Sequence, residues 1–212
     1  MPFERRYYLI DTYLRVVDWG DKGTPTHKVN DTENVGVRTS PQATNAMNMI
    51  KRLAVVFTIL LGCVGCDQGT KSLASLYLPK NEMHSYFLDT LRIGYVENTG
   101  AFLGLGSSLP QDVRFWIFTV LAGAFLIGLF AYAAFNSKQD SMSVIGLSLV
   151  LSGGASNLYD RIVNDGAVID FLNLGVGAVR TGIFNVADVA IMLGIAVLLF
   201  THFKDKTSTL ST

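Results

Sequence analysis

Residues 115–135, F-W-I-F-T-V-L-A-G-A-F-L-I-G-L-F-A-Y-A-A-F, run for 21 positions without a charge and carry aromatics at both ends. A segment of that length and polarity predicts a membrane-spanning helix, with its aromatics at the two interfaces. The five-residue link 136–140 forces the next helix back antiparallel. That helix, 141–159, is also uncharged but holds Ser143, Ser148, Ser152, Gly153, Gly154 and Ser156. Small residues let helices approach closely, which places it inside a bundle. Residues 189–203 form a last apolar run.

The first run, 53–66, has only fourteen residues behind Lys51-Arg52, short for a span and similar to a signal-peptide core. Leu61-Gly62-Cys63 and Val64-Gly65-Cys66 even resemble a lipidation and cleavage site. The helical pattern nevertheless continues through Asp67, Gln68, Lys71, Leu73, Leu76 and Leu78 until Pro79 stops it. A helix from about 50 to 78 is roughly 43 Å long at ~1.5 Å per residue, which favours an uncleaved first span. The expected fold is therefore an α-helical membrane protein: a four-transmembrane-helix bundle with a small β-rich extracytoplasmic subdomain between helices 1 and 2. The subdomain is read from S-Y-F-L and from the alternation over Leu91 to Val96, with Gly94, Gly100, Gly104 and Gly106 permitting turns. Lys and Arg fall on both sides, so charge bias leaves the orientation open.

Half of the residues are hydrophobic, 16% are charged and the formal net charge is zero. This excludes a basic nucleic-acid-binding surface. Cys63 and Cys66 have C-x-x-C spacing, but no second pair or His cluster completes a metal site, so they read as small buried membrane residues; His27, His84 and His202 are scattered. Residues 1–48 are charge-dense and then rich in Thr, Asn, Pro and Gly, predicting a poorly ordered N-terminal extension ahead of a membrane domain at 49–206 and a tail at 207–212.

Asp160, Asp170 and Asp188 stand at or near membrane depth, where a carboxylate costs roughly 2.5–3.5 kcal/mol on insertion scales and marks a functional site by default. Asp67 and Lys71 are one helical turn apart and can pair. Asn98 and Gly100 offer polar groups to a substrate, or form an ordinary turn. Asn185 and Asp188 have the spacing of an N-cap and an acidic N3 residue, so a helix cap and catalysis stand level for Asp188. Asp160-Arg161 is expected to form an ion pair tying the third helix to the next loop, with Arg161 also able to face substrate. Two neighbouring carboxylates share a proton and suit acid–base chemistry on water, with no metal required.

The motifs D-Q-G-T-K (67–71), E-N-T-G-A-F (97–102), N-L-Y-D-R (157–161), V-I-D-F (168–171) and F-N-V-A-D (184–188) resemble, in order, those of the bacterial lipoprotein signal peptidases (signal peptidase II), four-helix membrane aspartyl peptidases. The resemblance covers about 50–203. It implies Asp170 and Asp188 as the catalytic pair. Asp67, Lys71, Asn98, Gly100, Asn157, Asp160, Arg161 and Asn185 would support or contact substrate. It also implies cleavage before a diacylglyceryl-modified cysteine of a prolipoprotein, at the outer face of a bacterial inner membrane, by a multi-pass monomer among membrane lipids, with no cofactor. The chain departs from the family pattern at Ser152 and Ser156, where Gly is usual, at the Asn-Gly loop, which reaches its Phe one small residue early, and in its leader. A small transporter or channel subunit with a carboxylate proton relay is the alternative, disfavoured because the acids cluster at helix ends.

Overall fold

The computed structural model describes residues 5–10, 13–18, 48–101 and 104–210, with side chains for 48–101 and 104–204. The chain divides into two compact units, Met1–Ser40 and Pro41–Thr212. In the first, strands β1 (Arg5–Ile10) and β2 (Tyr13–Asp18) pair antiparallel, from Arg5 opposite Asp18 to Ile10 opposite Tyr13. This hairpin lies within the extension 1–48 expected to be poorly ordered, and the Thr-, Asn- and Pro-rich stretch 21–45 of that extension lies outside the described residues.

The second unit contains four helices long and apolar enough to cross a membrane, at Met49–Tyr77, Gln111–Phe135, Ser141–Val163 and Val186–Lys204. We call them α1 (Met49–Tyr77), α2 (Gln111–Phe135), α3 (Ser141–Val163) and α4 (Val186–Leu210). Local chemistry sets their ends. Asn48 and Asp140 cap α1 and α3 by accepting the backbone N–H of Lys51 at 2.9 Å and of Ser143 at 2.7 Å. Leu78 is extended (φ −107°, ψ 133°), as a residue before proline must be, and α1 stops there. Within α2, Trp116–Leu121 is π-helical.

About half of the apolar stretch of α3 is buried, against 11–22% for the other spans, so α3 is the central helix. Glycine makes that possible. A Cβ on Gly153 would lie 2.3 Å from the Ala187 carbonyl oxygen, and one on Gly194 would lie 2.6 Å from that of Gly146, so α3 and α4 meet backbone to backbone. Val56, Leu126, Ala133, Val144, Leu147 and Leu151 form the apolar core between α1, α2 and α3.

Four antiparallel strands, β3 (Met83–Tyr86), β4 (Leu91–Asn98), β5 (Val168–Val176) and β6 (Val179–Arg180), form one sheet in that order. Two of them come from the connection between α1 and α2, as expected. The other two come from the connection between α3 and α4, so the expectation of a sheet confined to the first connection is corrected. The S-Y-F-L piece is also only half strand: it ends at Tyr86, and Phe87, Leu88 and Asp89 turn with φ of 51°, 54° and 66°. A bulge puts one extra residue in β4 between Ile93 and Val96, after which Val96 faces Asp170 and Asn98 faces Val168. The period of two then sets Asn98, Val168 and Asp170 on one face.

Gly153→Ala is expected to cost about 1–3 kcal/mol by forcing α3 and α4 apart. Thermal unfolding in detergent checks this against Gly128→Ala, whose added methyl meets nothing within 4 Å and should be neutral or slightly stabilising.

Candidate active site

Lys71 lies at the centre of the polar end of the bundle, only 1% exposed. Its ammonium is 2.7 Å from Asp67 Oδ2 and 2.9 Å from Asp160 Oδ2, and donates to Asn157 Oδ1 at 2.9 Å. Each partner is itself fully engaged. Asp67 Oδ2 accepts the Ser156 hydroxyl at 2.7 Å, and its Oδ1 accepts the Ala187 N–H at 2.8 Å, satisfying an open donor in the first turn of α4. Asp160 accepts Gln68 Nε2 at 2.7 Å and the Ile169 N–H at 3.0 Å. One cation thus ties α1 to α3, to the start of α4 and to the start of β5.

Two further carboxylates sit above it. Asp170 Oδ1 accepts Asn185 Nδ2 at 2.7 Å, and its Oδ2 accepts Asn98 Nδ2 at 3.0 Å. Asp188 Oδ1 accepts Asn157 Nδ2 at 2.9 Å, and its Oδ2 accepts the Asn185 N–H at 3.1 Å. Asn185 Nδ2 also reaches Asn157 Oδ1 at 3.1 Å, so the two amides bridge the two acids. All four oxygens hold one donor and keep further lone pairs for water or substrate. Asn185 Oδ1 in turn accepts the Asp188 N–H at 2.9 Å, completing a reciprocal capping box. Asp188 thus caps α4 and also faces the cleft with Asp170.

The cleft, about 490 Å³, is lined by both acids, Asn98, Asn157 and Arg161, and otherwise mainly by apolar side chains such as Phe118, Phe125, Leu126 and Met192. Burial pushes the Asp170 carboxyl up to about 6, and the Asp188 charge adds to this, while hydrogen bonds from Asn98 and Asn185 oppose it.

The expected Asp160–Arg161 pair is not made. Successive helix residues point about 100° apart, so Asp160 turns to Lys71 while Arg161 turns to the cleft. Arg161 donates to the carbonyls of Asn157 at 3.3 Å and Gly100 at 3.0 Å, with its guanidinium 5.7 Å from the Phe118 ring centre. Gly100 thus contributes its carbonyl to Arg161 and its N–H to Asn98 Oδ1 at 3.0 Å. Gln68 and Ser156 belong to the network but were not among the site residues expected from the sequence. Their signal was position: Gln68 adjoins Asp67, and Ser156 lies one turn before Asp160. Cys63 and Cys66 are free thiols, the first half-buried and the second exposed, rather than the buried pair expected.

Fold and site together define a multi-pass membrane protein with an acid-lined cleft at one end of its bundle. The family model described as signal peptidase (SPase) II matches residues 58–204, and the chain belongs to that family. The lipoprotein signal peptidase of Streptococcus pneumoniae is 31% identical over 157 residues, spanning 74% of this chain and 97% of its own. That of Syntrophus aciditrophicus is 37% identical over 155 residues, spanning 71% and 93%. A bacterial membrane enzyme solved by the in meso method at 2.3 Å shares the fold, with a TM-score of 0.64 at 23% identity over 73% of this chain and 91% of that one. The transporter alternative finds no support. Ser148 and Ser152 donate to carbonyls of their own helix, at 2.6 and 2.5 Å, and supply no relay towards the far end.

Lys71→Met should destabilise the protein by about 3–5 kcal/mol, since it leaves Asp67 and Asp160 buried and uncompensated. Thermal unfolding checks this, and adding Asp67→Asn and Asp160→Asn should recover much of the loss. Asp170 gives a second expectation. Its pKa rises from 3.8 to about 6 on folding, so its contribution is fully present below about pH 4 and is lost as pH rises through 6. Wild-type stability should fall on the order of 3 kcal/mol relative to Asp170→Asn between pH 4 and 7 in chemical denaturation.

Proposed function

We propose that the chain is an aspartic endopeptidase that removes the signal peptide of a diacylglyceryl-modified prolipoprotein, cutting before the modified cysteine, with Asp170 and Asp188 as its catalytic pair. The observation that carries this is the pair itself: two carboxylates, one from a strand and one from a helix N-terminus, bridged by Asn157 and Asn185 and facing one cleft.

The chemistry follows from their unequal settings. Asp170, titrating near 6, holds the proton the pair shares. Asp188 takes a proton from a water between them, and that water attacks the scissile carbonyl carbon while Asp170 hydrogen-bonds and protonates its oxygen. As the tetrahedral intermediate collapses, Asp188 gives its proton to the departing amine and Asp170 recovers its own from the hydroxyl. Asn98, Asn157 and Asn185 fix the carboxyl rotamers, and Asp67, Lys71 and Asp160 hold the elements that carry them. Arg161 and the Gly100 loop form the wall along which the substrate backbone lies. The apolar remainder of the cleft suits the acyl chains of the modified cysteine.

A signal peptide inserts with its apolar core in the bilayer, so the junction after that core emerges at the far face. We therefore place the acid-lined end on the extracytoplasmic side of the bacterial inner membrane, and both ends of the peptidase unit, residues 49–206, in the cytoplasm. The unit acts as a monomer in this reading, since both acids come from one chain.

Asp170→Asn and Asp188→Asn should each abolish cleavage of a lipidated precursor by purified protein while insertion and precursor binding persist. The double variant should be hardly slower than either single one, because the pair acts as one unit. Asn caps a helix as well as Asp. A folded Asp188→Asn protein with near-normal turnover would reduce Asp188 to a cap and remove it from catalysis.

A further inference from the structure

A second cavity, of about 430 Å³, shares only Arg161 with the cleft. Arg114, Phe115 and Thr119 line it from the first turns of α2, Arg161 and Ile162 from the end of α3, and Asp165 from the turn beyond. Two donors in this wall lack an acceptor: the Thr119 hydroxyl and Arg161 Nε are buried and make no hydrogen bond. Their isolation has a local cause. A threonine inside a regular helix bonds back to the carbonyl one turn earlier, but Thr119 lies in the π-helical stretch, where that register is broken. Arg161 spends its two terminal nitrogens on the carbonyls of Asn157 and Gly100. Arg114 spends one nitrogen on Thr99 Oγ1 at 2.7 Å and Ser107 O at 3.0 Å. Two guanidinium groups and the one carboxylate of Asp165 share this wall, and Arg161 also faces the cleft that holds Asp170 and Asp188.

Donors without acceptors beside two guanidinium groups call for an anion rich in acceptor oxygens. The setting selects its source. The cavity lies at the ends of two spans, and its flanks, Phe115 at 51% and Ile162 at 65% exposure, are apolar side chains turned outward towards hydrocarbon. We propose that this cavity binds the phosphodiester headgroup of a membrane phospholipid, with Arg114, Thr119 and Arg161 holding the phosphate and the acyl chains running beside Phe115 and Ile162. The site is separate from the peptide cleft, and Arg161 forms the wall between them.

The test is native mass spectrometry of the full chain in detergent, titrated with dioleoylphosphatidylglycerol, with dioleoylglycerol and with inorganic phosphate. The phospholipid should be retained roughly tenfold more tightly than the neutral lipid. Thr119→Val, which removes only a hydroxyl, and Arg114→Gln should each weaken its retention several-fold. Asp165→Asn should strengthen it, and Lys80→Gln, outside both cavities, should leave it unchanged. Equal retention of the two lipids would overturn the proposal. So would wild-type behaviour of both Thr119→Val and Asp165→Asn. Inorganic phosphate bound as tightly as the lipid would overturn its assignment to a membrane lipid.

Discussion

The structure depends on one buried cation. Lys71 stands in the membrane domain with its charge met by Asp67 and Asp160, both of which are also inaccessible to solvent. A buried ion pair gains little over an apolar replacement of the same shape, whereas one with a missing partner is strongly destabilising. The worth of this arrangement therefore lies in what it orients. Asp67 reaches across to the Ala187 N–H and Asp160 to the Ile169 N–H, so the side chains that neutralise Lys71 also fix where α4 and β5 begin.

Those two starting points carry the two acids of the cleft. Asp170 is one residue along β5 from the amide that Asp160 holds, and Asp188 is one residue beyond the amide that Asp67 holds. The acids are positioned through the backbone by a network that touches neither of them with a charged contact, leaving their oxygens to the amides of Asn98, Asn157 and Asn185. A cap and a proposed catalytic group are the same residue here for a physical reason. The N-terminus of a helix already needs an acceptor at N3, and a helix that begins at the membrane surface places that acceptor where a water can reach it.

Much of this was legible in the chain. The apolar runs gave the four spans, and the charged residues that interrupt or end them gave nearly every polar member of the site, because burying such groups in a bilayer without use is too costly. What was not legible came from direction and distance. Neighbouring residues suggested Asp160 with Arg161, but helical geometry sends them to different faces, and Asp160 meets a lysine from α1 instead. The strands 168–176 and 179–180 were missed because their apolar pattern is interrupted by Asp170 and Asn173, which look like loop residues until β4 is seen beside them. Ser156 read as a departure from the family pattern. In the fold its hydroxyl fills the space and donates to Asp67, so the difference strengthens the network.

The central claim is that two carboxyls share one proton during turnover. The most direct measurement is the pH dependence of kcat/KM for cleavage of a lipidated precursor by the wild-type enzyme, which reports the acid and base of the free protein. The account predicts a bell whose acid limb marks protonation of the second carboxylate and whose alkaline limb marks loss of the shared proton, setting in near the value of about 6 at which Asp170 titrates. A rate that stays flat from the most acidic tolerated pH through neutrality would contradict it.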